Sequence, residues 1–365
     1  MKILDRYILK KILSTFIFVV LILVAIIVVI DITEKMDKFS KHNLPATAIV
    51  GYYADFIPWI AGLLTPITVF IAIVYVTSRM AGHTEIIAIL SSGVSFRRFL
   101  LPYFIGSLLI ASASFVLNGW IIPRSNRARL AFELMYFQNK YYFDKRNVHL
   151  QIQPGVYLFI QNYNNQTNAG YQFSLEKFDN NELVEKLTAS NIQWDSTKQK
   201  WTLKIWKRNH VRELFANHRE LKTPIEESGE SLDTLLAITP KDFENDERKY
   251  DGMTIPELNK HIAKLKFRGS SGVEVYEVEK YIRFAAPFTI FVLVFMGVIV
   301  SSRKSRGGTG FQTALGFMLS FVFILFFTMT RTFAEAGSLS PVIAAWLPNT
   351  VFALLALAMY KYVPR

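Results

Sequence analysis

Six stretches of the chain, 12–30, 56–78, 99–123, 284–302, 307–330 and 336–360, contain no Asp, Glu, Lys or Arg. A helix rising about 1.5 Å per residue needs about 20 apolar residues to cross a hydrocarbon layer about 30 Å thick. Each stretch is long enough, and only a helix satisfies its own backbone polar groups where water is absent. Composition agrees: the 365 residues are 51% hydrophobic and only 19% charged, with a mean hydropathy of +0.25. A soluble enzyme and a small secreted scaffold are both excluded. The absence of Cys removes disulfides, thiol redox chemistry and Cys-ligated metals.

The net charge of +12 is uneven, because 124–283 carries 25 Lys+Arg against 22 Asp+Glu while the remainder carries 16 against 7. Most of the excess therefore borders the apolar stretches, a pattern that suits topology control and anionic lipid better than nucleic acid. The first apolar stretch spans 19 residues after Lys2, Arg6, Lys10 and Lys11, longer than a signal-peptide core, and reads as an uncleaved helix. With six spans both termini lie on one side. The short loops on that side, 79–98 among them, hold twelve Lys+Arg, against Lys35, Lys38, Lys41 and Arg331 in the opposite short loops. Positive charge stays inside, so the termini are expected in the cytoplasm.

Residues 124–283 then form one extracytoplasmic insertion between the third and fourth spans. Val148, Leu150 and Ile152 alternate with polar neighbours; Val156, Leu158 and Ile160 do so after a Pro154-Gly155 turn, and Trp201, Leu203 and Ile205 repeat the period. Period-two alternation predicts a one-sided sheet or sandwich. The charged stretch 216–250 predicts a mobile loop or an edge. Thr254-Ile255-Pro256-Glu257 is a capping box, and Leu258, Ile262 and Leu265 continue at helical spacing to Gly269. We read three parts: 1–123 with three spans and the loop 79–98, 124–270 as the inserted domain with its C-terminal helix, and 271–365 with three further spans.

None of the six spans holds a carboxylate, Lys, Arg or His, the groups on which proton- and ion-coupled transport usually depends. No nucleotide-binding Gly-Lys-Ser/Thr ending follows Arg306-Gly307-Gly308-Thr309-Gly310, so any ATP hydrolysis must reside in another chain. The six His lack metal-binding spacing, no paired carboxylates or triad occur within the spans, and neither a catalytic residue nor a cofactor is expected.

Two local patterns invite a function. Glu85 to Ser92 reads as a short helix between Thr84 as N-cap and Gly93 as stop, with Glu85, Ile86, Ile89 and Leu90 as one face. That face either docks into a groove of another protein or lies along the membrane surface. On the outer side Lys35, Lys38 and Lys41 recur on one helical face, with Arg331 at the same depth. They either receive lipid phosphates or form a solvated surface.

The order of parts resembles the permease family of the lipopolysaccharide-export ABC transporter, the LptF/LptG type. The resemblance rests on Leu4-Asp5-Arg6-Tyr7, Glu85…Ala88…Ser92-Gly93-Val94, Thr254-Ile255-Pro256-Glu257-Leu258, Arg283-Phe284-Ala285-Ala286-Pro287-Phe288, Arg303…Arg306-Gly307-Gly308 and Ala345-Trp346-Leu347-Pro348-Asn349. It implies six transmembrane helices with a periplasmic β-jellyroll between helices three and four, and pairing with a sister permease. It further implies a cytoplasmic ATPase dimer coupled through the Glu85 loop, lateral gates at helices one and five, and basic residues near the outer end of helix one that contact lipopolysaccharide phosphates. A periplasmic bridge protein would accept the lipid. The competing reading is a non-transport membrane scaffold whose outer domain binds a partner.

Overall fold

The computed structural model describes residues 3–137, 146–180, 182–210, 226–243, 248–269, 272–302 and 308–361. Nine α-helices and six strands occur among them. The helices are α1 (Ile3–Lys41), α2 (Ala46–Gly82), α3 (Glu85–Ser91), α4 (Phe96–Val116), α5 (Ile122–Tyr136), α6 (Ile255–Phe267), α7 (Val273–Ser301), α8 (Gly308–Glu335) and α9 (Pro341–Tyr360). A π-turn, Leu117–Ile121, joins α4 to α5 without a break, so Phe96–Tyr136 is one helical run. Six runs are long and apolar enough to cross a membrane: α1, α2, α4–α5, α7, the Ala314–Glu335 part of α8, and α9. They agree with the six charge-free stretches, because burial in lipid selects continuous apolar length.

The chain divides into two compact units, Met1–Phe137 with Tyr250–Asn259 and Glu274–Arg365, and Gln138–Lys249 with Lys260–Val273. In the helical unit Ile8 and Ile12 of α1, Val69, Phe70 and Ile73 of α2, and Ile290, Leu293 and Val294 of α7 share one core. Pro58 and Pro66 lie inside α2, which continues through both; Thr65 hydroxyl donates to the Ala61 carbonyl at 2.9 Å. Ser95 caps α4 by accepting from the Arg98 amide, and Ser340 caps α9 by accepting from Ile343.

The second unit is built on one antiparallel sheet: β1 (Arg146–Gln153), β2 (Val156–Asn164), β3 (Ala169–Asp179), β4 (Glu182–Asp195), β5 (Lys200–His210) and β6 (Glu226–Thr234). Each strand pairs with the next in sequence, an up-and-down meander. Alternation sorts the two faces as predicted. Val148, Ile160, Phe173, Ala189 and Trp206 form one cross-strand row, and Leu150, Leu158, Leu175 and Leu187 the next, on the face that carries the core. Between β1 and β2, Gly155 takes φ +71° and its carbonyl accepts from the Phe178 amide at 2.7 Å, which is the turn expected of Pro154-Gly155.

One local expectation differs in detail, and a second is met in part by an edge strand. Ile205 does not continue the buried row of Trp201 and Leu203: it has φ +51° and is 71% exposed, while Trp206 returns to the core face. A β-branched residue in the left-handed region is strained, so neighbouring pairing imposes the conformation. Of the charged stretch 216–250, residues 216–225 and 244–247 lie outside the described residues. Its remainder holds the edge strand β6 and two 3₁₀ turns, Pro240–Phe243 and Lys249–Gly252.

Candidate functional site

Four groups of side chains could serve a function, three in the helical unit and one on the sheet. The first surrounds α3. Thr84 precedes this helix in the left-handed region, and its hydroxyl donates to the His83 carbonyl instead of capping. The helix stops at Gly93, whose amide donates to the Leu90 carbonyl at 3.0 Å and whose φ of +87° turns the following chain away. Ile86 is buried in the chain's own core, and Ile89 and Leu90 pack against it. Ile87, Ala88 and Ser91 face outward beside the half-buried Glu85. The predicted set of Glu85, Ile86, Ile89 and Leu90 is thus divided between two directions.

The first three turns of α1 bracket this helix. Asp5, with a side chain only 3% exposed, accepts a two-pronged contact from Arg98, with Nη1 and Nη2 both at 2.7 Å. Lys11 Nζ lies 3.3 Å from Glu85 Oε1, the Tyr7 hydroxyl donates to Glu85 Oε2 at 3.2 Å, and the same Lys11 nitrogen stands 4.1 Å from the Tyr7 ring centre. The first residue of α3 and the first turn of α4 are therefore both tied to α1.

At the opposite end of α1, Lys35 reaches Asp31 at 2.7 Å and the Tyr52 hydroxyl at 2.6 Å. Tyr53 donates to Asp31, and Tyr52 donates to Glu133, which also accepts from Arg129 at 2.8 Å. Arg129 is 2% exposed and stacks 4.1 Å from Trp59, and among the described residues its Nη2 has no hydrogen-bond partner. Lys38 and Lys41 are exposed. Of the three lysines placed together by spacing, one is committed to the interior and two face out.

Arg331 belongs to a third group, centred on Tyr250–Met253. Arg283 donates to the Met253 carbonyl at 2.5 Å, to the Tyr250 carbonyl at 2.8 Å and to Glu279 at 2.9 Å. Arg331 meets Glu335 at 2.7 Å and Glu279 at 3.5 Å, and reaches the Tyr250 hydroxyl at 3.4 Å. Arg127 donates to the Gly252 carbonyl and pairs with Glu257, and Asn126 donates to the Asp251 carbonyl. Burial, then Glu279, pushes the Asp251 carboxyl up to about 6, against the pull of Arg129, Arg331 and Arg283. Glu257 completes the predicted capping box by accepting from the Thr254 hydroxyl and amide; with Arg127 alongside, its carboxyl falls to about 2. Lys35 and Arg331 thus occupy two separate ion-pair groups.

The sheet offers two surfaces. On the core face Tyr163 stacks on Phe243 with ring centres 4.0 Å apart, and Trp201 Nε1 donates to the Ile238 carbonyl. Burial opposes ionisation of Asp242, but the Thr239 amide, Lys264 and Arg268 together hold its carboxyl below the usual range. The other face carries an open hollow of about 600 Å³ bordered by His149, Tyr157, Phe159, Ser174 and Thr188.

Two of the membrane-capable helices are poorly covered. Of the most apolar 18-residue stretch, 11% is buried in α1 and 22% in α8, against 56% in α7. Ile17, Leu21 and Ile26 of α1 and Phe317, Phe321 and Leu325 of α8 are exposed. Spacing does not identify Asp5, Lys11 or Arg98 as site residues, since their partners lie far along the chain, nor does it join Glu133 to Tyr52, 81 residues away. Their only sequence signal is charge beside an apolar stretch.

Among the described residues no group of three His, Asp or Glu could hold a metal. A search of curated proteins returned no match. The family profile described as lipopolysaccharide export system permease LptF/LptG matches residues 6–362, nearly the whole chain, in keeping with the six apolar helices and the inserted antiparallel sheet. The chain belongs to the LptF/LptG family of lipopolysaccharide export permeases, multi-pass proteins of the inner membrane that are transporter components and not enzymes.

Proposed function

We propose that this chain is one of two permeases that together extract lipopolysaccharide from the inner membrane, driven by a separate cytoplasmic ATPase dimer docked on α3. The observation that carries this reading is α3 itself, a two-turn helix hung between two membrane-length helices and presenting Glu85, Ile87, Ala88 and Ser91. An isolated helix that short is not stable in water, so it is held by its inward face and leaves the outward one for a partner. In this reading the termini and α3 are cytoplasmic, and the sheet domain, a six-strand meander, is periplasmic and passes lipid to a bridge protein.

The uncovered faces of α1 and α8 supply the lipid route and the contact with the sister permease. Each acyl chain of about a dozen methylenes would lose roughly 10 kcal/mol of favourable burial on entering water, which is why the route must remain covered. Lys38 and Lys41, being exposed, are the lysines of α1 best placed to meet lipid phosphates; Lys35 and Arg331 would have to leave Asp31 and Glu335 first. The ATPase should co-purify with the wild-type permease pair, and Glu85→Lys should abolish lipid movement per ATP hydrolysed. Retention of no ATP-binding subunit by the wild-type pair would refute the transporter reading and favour the scaffold.

A further inference from the structure

Glu85 is the acidic residue at the head of α3, yet it is already engaged by α1. Lys11 and Tyr7 lie one helical turn apart, so they reach the same carboxylate from one face of α1. Neither contact is sealed: the side chains of Lys11 and Glu85 are 34% and 30% exposed. By contrast the Asp5–Arg98 contact beside it is two-pronged and has a buried carboxylate. One tie between α1 and the α3 region is thus firm and the other is exchangeable.

We propose that Glu85 exchanges partners, giving up Lys11 of α1 for a cation of the docked ATPase, so that docking frees this side of α1 while Asp5–Arg98 keeps its first turn in place. Lys11 is then a positioning residue for the coupling carboxylate and a competitor of the ATPase. The inference rests on the reading that α3 is the ATPase dock. Three physical facts favour exchange over a permanent bond. The carboxylate has room for an incoming cation because it is part exposed. The Lys11 nitrogen retains the Tyr7 ring at 4.1 Å, a cation–π contact that stabilises the ammonium once it leaves Glu85. An ion pair of this exposure is worth only about 0.2–1 kcal/mol, so a better-placed cation displaces it.

The test uses the complete permease pair with its ATPase in lipid nanodiscs, comparing Lys11→Gln and Lys11→Arg with wild type. ATPase affinity and lipid crosslinked per ATP hydrolysed are read separately. Exchange predicts that Lys11→Gln tightens ATPase binding by about 1.4- to 5-fold, the fold-change equivalent of the lost competitor. Transport per ATP should fall at the same time, and Lys11→Arg should restore both values. Unchanged affinity and unchanged transport per ATP would make the pair an inert surface contact and overturn the proposal. Weaker binding by Lys11→Gln would also overturn it, since Lys11 would then support the dock instead of competing for it. Absence of ATPase binding to wild type is a different failure, that of the dock itself.

Discussion

Replacing Arg283 by Leu is the most revealing perturbation of the helical unit. Its side chain is 6% exposed, and its guanidinium donates to two main-chain carbonyls, Met253 and Tyr250, and to Glu279, whose side chain is itself 12% exposed. Leu fills much of the space but strands both carbonyls and leaves Glu279 with Arg331 alone, 3.5 Å away. Removing one partner of a buried charged pair costs about 3–5 kcal/mol, because the remaining charge cannot recover its hydration. Loss of a local clamp appears first as local opening, so the assay is hydrogen exchange of 250–259 in the full-length protein. At about 1.4 kcal/mol per factor of ten, exchange of the Leu258 amide, which donates to Thr254 at 2.8 Å, should accelerate roughly 100- to 4,000-fold. Arg283→Lys should fall between, retaining the charge near Glu279 but lacking the fork that spans two carbonyls. Acceleration under about tenfold would refute the clamp.

Asp251 gives the same region a pH dependence. Its folded pKa of about 6 exceeds the unfolded value, so the native state binds the extra proton. The stabilisation is full below about pH 4 and is lost as pH rises through 6, by at most about 3 kcal/mol. Hydrogen exchange at 250–253, after correction for the intrinsic pH dependence of amide exchange, should therefore quicken over that interval, and Asp251→Asn should abolish the residual slope. Gly155→Ala should destabilise the sheet by more than about 2 kcal/mol, since φ is +71° and the new Cβ would stand 2.6 Å from the Phe178 carbonyl oxygen; limited proteolysis of the full chain measures it, and an unchanged cleavage rate would refute it. Lys35→Met should lower the melting temperature in detergent, because Asp31 is left with Tyr53. Lys38→Gln with Lys41→Gln should change stability by less than about 0.5 kcal/mol while weakening phosphate-dependent lipid crosslinking. Equal melting losses in the two variants would remove the distinction between an inward and an outward lysine.

Features set by local chemistry could be read from the sequence. Charge-free length located the six spans, period-two alternation located β1, β2 and most of β5, and Thr254 with Glu257 marked the start of α6. Gly93 ended α3 as expected, yet a helix of seven residues has too few turns for apolar spacing to say which face turns inward. Spacing groups the core-facing Ile86, Ile89 and Leu90 with Glu85 on one face, whereas packing turns the three apolar residues inward. The contacts that organise the candidate sites join residues 93 apart, as Asp5 and Arg98, or 74 apart, as Lys11 and Glu85, or 33 apart, as Arg283 and Tyr250. No periodicity records such pairs. Their geometry emerges only when helices pack, and Lys35 is separated from Lys38 and Lys41 for the same reason.

The wide turn between α4 and α5 acts as a phase shifter. Buried positions along α4 recur as Tyr103, Gly106, Ser107, Ile110, Ala111 and Ser114, then take a five-residue step to Gly119 before resuming at Ile122, Pro123 and Asn126. Pro123 has no amide to offer the preceding turn, and its ring crowds the carbonyl four residues back; a π-turn gives that carbonyl room. One added residue rotates everything beyond it by about 100°. Deleting Gly119 would thus aim Asn126 and Arg127 a quarter-turn or more away from the Asp251 and Gly252 carbonyls, and Arg129 away from the Trp59 ring, leaving the helix whole and its message pointed in the wrong direction.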